Sequence, residues 1–399
     1  MSGIVIIGGG QAAAAMAAKL RAKSYDGAIT IIGAEPVAPY QRPPLSKAYL
    51  LGEMPLERLM LRGPDWYAEN KVDLRLGAPA EAIDTAAQTV RVAGEILEYD
   101  ELALCTGATP RRLPAEIGGN LPGVFTVRNL ADVEAMRPEF RQGRRLVVIG
   151  GGYVGLEAAA VARKLGLEVT LIEAAPRILG RVACTETADA IRTLHESHGA
   201  VIREGIGVSK LVGSGCFEGV VLSDNSTIYA DFCIAGIGVT PDTELAISAG
   251  INCANGIVTD AFGRCSAAHV WAAGDCAEIT LAGARTRLES VGNAIDMGEL
   301  VAENMLGAGR PYQPKPWFWS DQYDAKLQIA GWNAGHDRVI TRRAEGQSFW
   351  YFRGAELIAV DALNDPRAYM IGKRLIEAGK SPDPGALADP AADLKGLLA

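Results

Sequence analysis

Two short stretches of this chain have residue types and spacing suited to binding phosphate. In Ile4-Val5-Ile6-Ile7-Gly8-Gly9-Gly10-Gln11-Ala12-Ala13 and Leu146-Val147-Val148-Ile149-Gly150-Gly151-Gly152-Tyr153-Val154-Gly155, a β-branched run meets a G-x-G-x-x-G/A turn. The first glycine permits a tight turn, the second lets a pyrophosphate approach the backbone, and the small third residue lets helix pack on strand. N–H groups left unpaired at the helix start then bind phosphate. The two turns lie about 140 residues apart. One such turn is a weak signal. Two in one chain point to two dinucleotides held close enough to react, a flavin nucleotide served by a nicotinamide nucleotide.

The elements that must position these turns follow from the hydrophobic pattern. After the first turn a helix is expected over 12–23 and a second strand over 28–32; after the second, a helix over 154–165 and a strand over 168–172 ending in Glu173. A strand-helix-strand unit with short connections builds a right-handed parallel crossover, so two units imply two doubly wound, Rossmann-like domains. Between them, Tyr99–Ala108 reads as a strand followed by a glycine turn, and Val270-Trp271-Ala272-Ala273-Gly274-Asp275 repeats that form with an acid behind the glycine. The chain is therefore expected to build a first nucleotide domain over 1–112 and a second over 113–239. It then returns to the first over 240–310 and adds a C-terminal α+β domain over 311–399, with alternating strands and an amphipathic helix over 368–378.

Composition narrows the class. The chain has 399 residues, 49% apolar and 22% charged, ordinary for a globular protein of two or three domains. A formal net charge of −8 argues against a nucleic-acid binder. Seven cysteines, at 105, 184, 216, 233, 253, 265 and 276, form no C-x-x-C pair, which argues against a dithiol centre and fits a reducing compartment. His195 and His198 share a helix face, but with His269 and His336 they make no tetrahedral metal set, so no metal is expected. Ile4–Ala18 is apolar, yet no basic segment precedes it and glycines interrupt it, so strand, turn and helix explain it better than a secretory leader. No run approaches a membrane span, and a cytoplasmic location is expected.

Taken together, Pro43-Pro44-Leu45-Ser46-Lys47, Thr106-Gly107-Ala108-Thr109-Pro110-Arg111, the second glycine turn with Glu157, Gly274-Asp275 and Pro316-Trp317-Phe318-Trp319-Ser320-Asp321-Gln322 resemble the NADH-dependent ferredoxin reductases of bacterial oxygenase and cytochrome P450 systems. These belong to the glutathione-reductase-like flavoproteins. The resemblance spans essentially the whole chain and implies that the N-terminal domain holds FAD, the inserted domain NADH, and the C-terminal domain covers the flavin.

It also assigns roles. Gly8, Gly10, Ala12 and Ala13 would line the FAD pyrophosphate; Thr106, Gly107 and Gly274 belong to the flavin-side turns; Asp275 would accept a ribityl hydroxyl. Arg128, Ala80 and Val291 match positions touching FAD, the latter two through backbone. Glu35 is the first carboxylate after the second strand, displaced from the usual ribose-binding place, so it either binds the adenosine ribose or does not. Gly150, Gly152 and Gly155 would carry the NADH phosphates. Glu173 would accept from the ribose 2′-OH and repel a 2′-phosphate, with Arg177 nearby as a softening influence.

Lys47 and Glu157 are expected as a polar pair beside the isoalloxazine, and Trp319 as an indole closing one face of the flavin region. The expected acceptor is an acidic [2Fe–2S] ferredoxin, with Arg285, Arg287, Lys315 and Lys326 as candidates for a basic rim. Two rivals are a flavoenzyme reducing oxygen, peroxide or a dithiol, disfavoured because 40–47 contains no cysteine, and a nucleotide-sensing protein like the apoptosis-inducing flavoproteins.

Overall fold

A computed structural model describes residues 3–398. The chain divides into two compact units, one formed by Met1–Arg42, Pro55–Thr109 and Val239–Pro316, the other by Pro43–Met54, Pro110–Gly238 and Trp317–Ala399.

In the first unit, the wholly buried strand Ile4–Ile7 is the centre of a five-stranded parallel sheet. Ile29–Gly33 and then Val72–Leu76 lie to one side, Glu101–Leu104 and Val270–Ala272 to the other. A strand flanked on both sides and covered on both faces has no use for polar residues, and the β-branched run supplies none. The helix Gln11–Ala22 follows the glycine turn, and Val291–Met305 packs along it. Gly298 permits that close crossing, since a Cβ there would sit 2.6 Å from the Ala12 carbonyl oxygen.

The second unit repeats the plan. Arg145–Ile149 is central, with Glu168–Glu173 and Val201–Glu204 on one side and Phe232–Ala235 and Val124–Phe125 on the other, all parallel. The helix Tyr153–Lys164 follows its turn. Both helices begin one residue earlier than the pattern suggests, because the glycine preceding each is extended and serves as the N-cap.

This unit also contains a five-stranded antiparallel sheet in the order Trp317–Gln322, Ala325–Gly331, Glu356–Leu363, Gln347–Arg353, Arg338–Arg343. The helix Pro366–Glu377 packs on one face; its start at Pro366 is set by Asp365, whose carboxylate accepts from the Ala368 N–H at 2.9 Å. Trp350, Val360, Ile371 and Leu375 form the core beneath it. The loop Pro43–Met54, which carries Lys47, belongs to this unit although both its flanks belong to the other.

Candidate active site: two phosphate cradles and a buried ion pair

The first turn has the geometry its residues demand. Gly8 is left-handed at φ +116°, and a Cβ there would lie 2.0 Å from the Cys105 carbonyl oxygen. Gly10 differs: its backbone is extended, and a Cβ would meet nothing within 4 Å. The protein itself does not require glycine at this position, so the space above it suits a bulky group pressed against the backbone, as a dinucleotide pyrophosphate is. Ala12 and Ala13 are buried below it. Gly274, at φ +84°, brings the Asp275 turn against Ala12, with a Cβ position 3.2 Å from the Ala12 methyl. The Asp275 carbonyl accepts from Arg287 Nη1 at 2.9 Å. Thr106 Oγ1 donates to the Asp242 carbonyl at 2.6 Å, beside left-handed Gly107. Ala80 opens the strand Ala80–Asp84, and Val291 is the first residue of a helix capped by Ser290.

Glu35 is already engaged. Its Oε2 accepts from the Tyr40 hydroxyl at 2.5 Å and its Oε1 from Arg42 Nη2 at 2.6 Å. Burial works against the Arg42 charge, but Tyr40, Glu35 and Asp275 outweigh it and raise the guanidinium above its ordinary pKa. Arg42 thus brings a fixed positive charge to the end of the second strand, a feature that sequence reading had missed.

The second turn obeys the same logic. Gly150 is left-handed at φ +105°, its Cβ position 2.4 Å from the Gly236 oxygen, and a Cβ on Gly155 would sit 2.2 Å from the Gly150 oxygen. Gly152, like Gly10, has nothing within 4 Å of its Cβ position. The Glu173 carboxylate turns back into the turn, accepting the Gly151 N–H and the Ala175 N–H, each at 2.7 Å. One lone pair on each oxygen remains for a ribose hydroxyl. Arg177 is committed to the Ala183 and Cys184 carbonyls at 2.8 and 3.3 Å. Arg128 is half-buried before the helix Leu130–Met136, its N–H donating to Asp132 at 2.9 Å.

In the same unit, Lys47 Nζ pairs with Glu157 Oε2 at 2.6 Å. Lys47 also donates to the Pro43 carbonyl at 3.1 Å, so the ammonium is held from its own proline-stiffened loop. Glu157 is 3% exposed and accepts from two further donors, the Ser46 and Ser320 hydroxyls, each at 2.7 Å. A buried carboxylate so surrounded carries its charge at far less cost than an unpaired one. Ser320 reaches it from the edge strand Trp317–Gln322, whose Phe318 packs on Tyr153 of the Glu157 helix at 4.8 Å between centroids.

Strand alternation sends Trp317 and Trp319 to the opposite face, where the indoles stack at 5.5 Å. Ser46, Ser320 and Gln322 lie inside stretches singled out from sequence, yet their role was not read there. The available signal was Ser320 and Gln322 at alternate positions on the Phe318 face of a strand that opens with three aromatics.

The basic candidates separate. Arg285, Lys315 and Lys326 are exposed. Arg287 is not a solvated rim residue: its side chain is 7% exposed and bound to the Asp275 carbonyl and Glu289. His195 is fully buried, and His198 is exposed and stacked on Tyr323 at 3.8 Å. Among the described residues no cluster of His, Cys, Asp or Glu can hold a metal, and no helix is long and apolar enough to cross a membrane.

Paired parallel sheets, each with a phosphate-ready turn, define a class of two-nucleotide oxidoreductase. The chain belongs to the pyridine nucleotide-disulphide oxidoreductase family, whose model matches residues 2–298, and a reductase C-terminal domain matches 317–398. It is 40% identical to rhodocoxin reductase of Rhodococcus erythropolis, over 99% of this chain and 94% of that one. It is 38% identical to putidaredoxin reductase CamA of Pseudomonas putida, over 99% and 96%. A crystal structure of a covalent putidaredoxin reductase–putidaredoxin complex superposes with a TM-score of 0.95 at 37% identity, over 100% of this chain and 98% of that one. The enzyme is accordingly an FAD- and NAD(H)-dependent oxidoreductase.

Proposed function

We propose that this enzyme passes electrons from NADH to a [2Fe–2S] ferredoxin that feeds a cytochrome P450 or a ring-hydroxylating oxygenase. The balanced reaction is NADH plus two oxidised ferredoxins giving NAD⁺, two reduced ferredoxins and one proton. The observation that carries this reading is the buried Lys47–Glu157 pair, contributed on the lysine side by a loop without a cysteine. A flavoenzyme acting on a dithiol or peroxide needs a thiol where this chain offers an ammonium. Relatives named as ferredoxin reductases, matched over at least 97% of their own length, support the same acceptor class.

When bound, FAD supplies a two-electron acceptor that can release electrons one at a time. The protein then needs no acid, base or nucleophile of its own, and its residues act by positioning. Gly8, Gly10, Ala12 and Ala13 seat the FAD pyrophosphate. Asp275 accepts a ribityl hydroxyl, Thr106, Gly107 and Gly274 shape the adjoining turns, and Arg128, Ala80 and Val291 complete the FAD contacts. Glu35, with its charge taken up by Arg42, lies at the adenosine end.

Gly150, Gly152 and Gly155 seat the NADH phosphates. Glu173 accepts from the ribose and disfavours a 2′-phosphate, and Arg177, spent on two carbonyls, does not offset that preference. Lys47 and Glu157 set the charge at the reacting edge, and Trp319 excludes water from one side. Arg285, Lys315 and Lys326 are the rim charges toward an acidic ferredoxin. Seven free cysteines without a disulfide favour the cytoplasm.

Anaerobic mixing with NADH is expected to bleach the flavin band of the purified protein, and cytochrome c reduction is expected only when ferredoxin is added. A colourless protein that cannot be reconstituted with FAD overturns this reading. So does rapid oxygen consumption without ferredoxin.

A further inference from the structure

The two oxygens of Glu157 are held differently. Oε2 takes both Lys47 and Ser46, whereas Oε1 accepts from the Ser320 hydroxyl. Behind Ser320 the contacts continue inward. Gln322 Nε2 donates to Ser320 Oγ at 3.0 Å, His195 Nε2 meets Gln322 Oε1 at 2.7 Å, and the Tyr323 hydroxyl lies 3.3 Å from His195 Nδ1. Glu157, Ser320, Gln322 and His195 are 3%, 1%, 1% and 0% exposed, so water does not substitute for a missing partner.

Counting donors fixes every proton along this line. Serine has one proton; given to Glu157, it obliges Ser320 Oγ to accept from Gln322. The amide nitrogen must then face Ser320 and the amide oxygen His195. An amide oxygen only accepts, so His195 must carry its proton on Nε2, leaving Nδ1 to accept from Tyr323. Burial lowers the imidazole to a pKa of about 4, so near neutrality it has a single N–H to place. The other tautomer breaks the line: Nε2 accepts from a flipped amide, the amide oxygen then faces Ser320 Oγ, and Glu157 Oε1 must compete with it for the single serine proton.

We propose that His195, Gln322 and Ser320 are positioning residues that use the histidine tautomer to aim the Ser320 hydroxyl at Glu157, holding that carboxylate and the Lys47 ammonium in one orientation. This rests on the ferredoxin-reductase reading for its effect on flavin reduction, though not for the proton arrangement itself. Three elements far apart in sequence meet in the line: the helix Thr185–Ser197, the edge strand Trp317–Gln322 and the helix Tyr153–Lys164.

The test uses the full-length holoenzyme. Nitrogen-15 NMR of histidine-labelled protein at pH 7, with the His195 signal assigned from its absence in His195→Phe, is expected to show the Nε2–H tautomer. Ser320→Ala is expected to slow flavin reduction by NADH about tenfold while leaving the NADH Kd within twofold, and Ser320→Thr to restore it to within threefold. Because His195 acts through Ser320, the double variant His195→Phe/Ser320→Ala is expected to be no slower than Ser320→Ala alone. An Nδ1–H tautomer, a wild-type rate in Ser320→Ala, or additive losses in the double variant would each overturn the proposal. A wild-type enzyme that NADH fails to reduce defeats the functional reading instead, and the tautomer measurement still decides the line.

Discussion

The two glycine cradles share a sheet order and a turn, yet they treat their third small residue and their acid in opposite ways. In the first, Ala13 fits with its methyl buried; in the second, a methyl at Gly155 would sit 2.2 Å from the Gly150 oxygen. In the first, Glu35 leaves the turn for Tyr40 and Arg42; in the second, Glu173 folds back onto the Gly151 N–H. The second turn is thus the tighter at its third small position, with its strand-end acid bonded back into the turn. A site for a permanently held dinucleotide tolerates slack at one turn because many other contacts hold the ligand. A site for a nucleotide that comes and goes each cycle depends more heavily on the turn itself.

That contrast can be broken in several ways. Gly155→Val is expected to have the largest effect, about 4 kcal/mol or more, read as loss of NADH binding and a lowered Tm. Next comes the acid sensitivity that buried His195 adds to the second unit. Desolvation holds its pKa at about 4 against an ordinary 6.5, so the unfolded chain takes up the proton first. The stability gained from a neutral imidazole is present above pH 6.5 and lost as pH falls toward 4, a difference on the order of 3 kcal/mol. Thermal melts of His195→Phe should therefore fall less steeply than wild type across that window.

The acids come third: Glu173→Ala is expected to raise the NADH KM about tenfold and narrow the preference over NADPH. Glu35→Ala, assayed by FAD retention, is expected to change it less than about threefold. Equal effects at the two acids would abolish the distinction. Ala13→Gly is expected to cost only about 1 kcal/mol of stability, by helix propensity, with FAD retained. Smallest of all, Lys326→Glu is expected to raise the KM for an acidic ferredoxin about threefold, and more at low ionic strength.

The sequence made the local features legible and left out most of the long-range ones. Both strand-turn-helix starts could be read from Ile4–Ala13 and Leu146–Gly155 because the left-handed φ of Gly8 and Gly150 and the crowding of Gly155 against the Gly150 oxygen arise within one turn; the Cys105 and Gly236 carbonyls that also crowd Gly8 and Gly150 come from distant strands and were not readable. Lys47 and Glu157 were paired through family resemblance, not through spacing. Their other partners were missed for a physical reason: Ser46 and Ser320 lie 111 and 163 residues from Glu157, and no periodic pattern reports such a meeting. His195 was weighed as a metal ligand beside His198, and its burial was not legible, since an i, i+3 pair says nothing of which member points inward. Arg287 looked like a rim charge because arginines usually are; its burial against the Asp275 carbonyl comes from the fold.

One architectural detail has a practical consequence. The backbone passes between the two units after residues 42, 54, 109, 238 and 316, and the short excursion 43–54 carries the lysine that pairs with Glu157. Neither unit can be expressed as one uninterrupted fragment. A chimera that swaps only the stretch 110–238 between relatives would inherit the glutamate from one parent and the lysine from the other. Grafting a new coenzyme preference onto this scaffold therefore means transplanting three separate stretches together, or keeping the small loop native and redesigning around it.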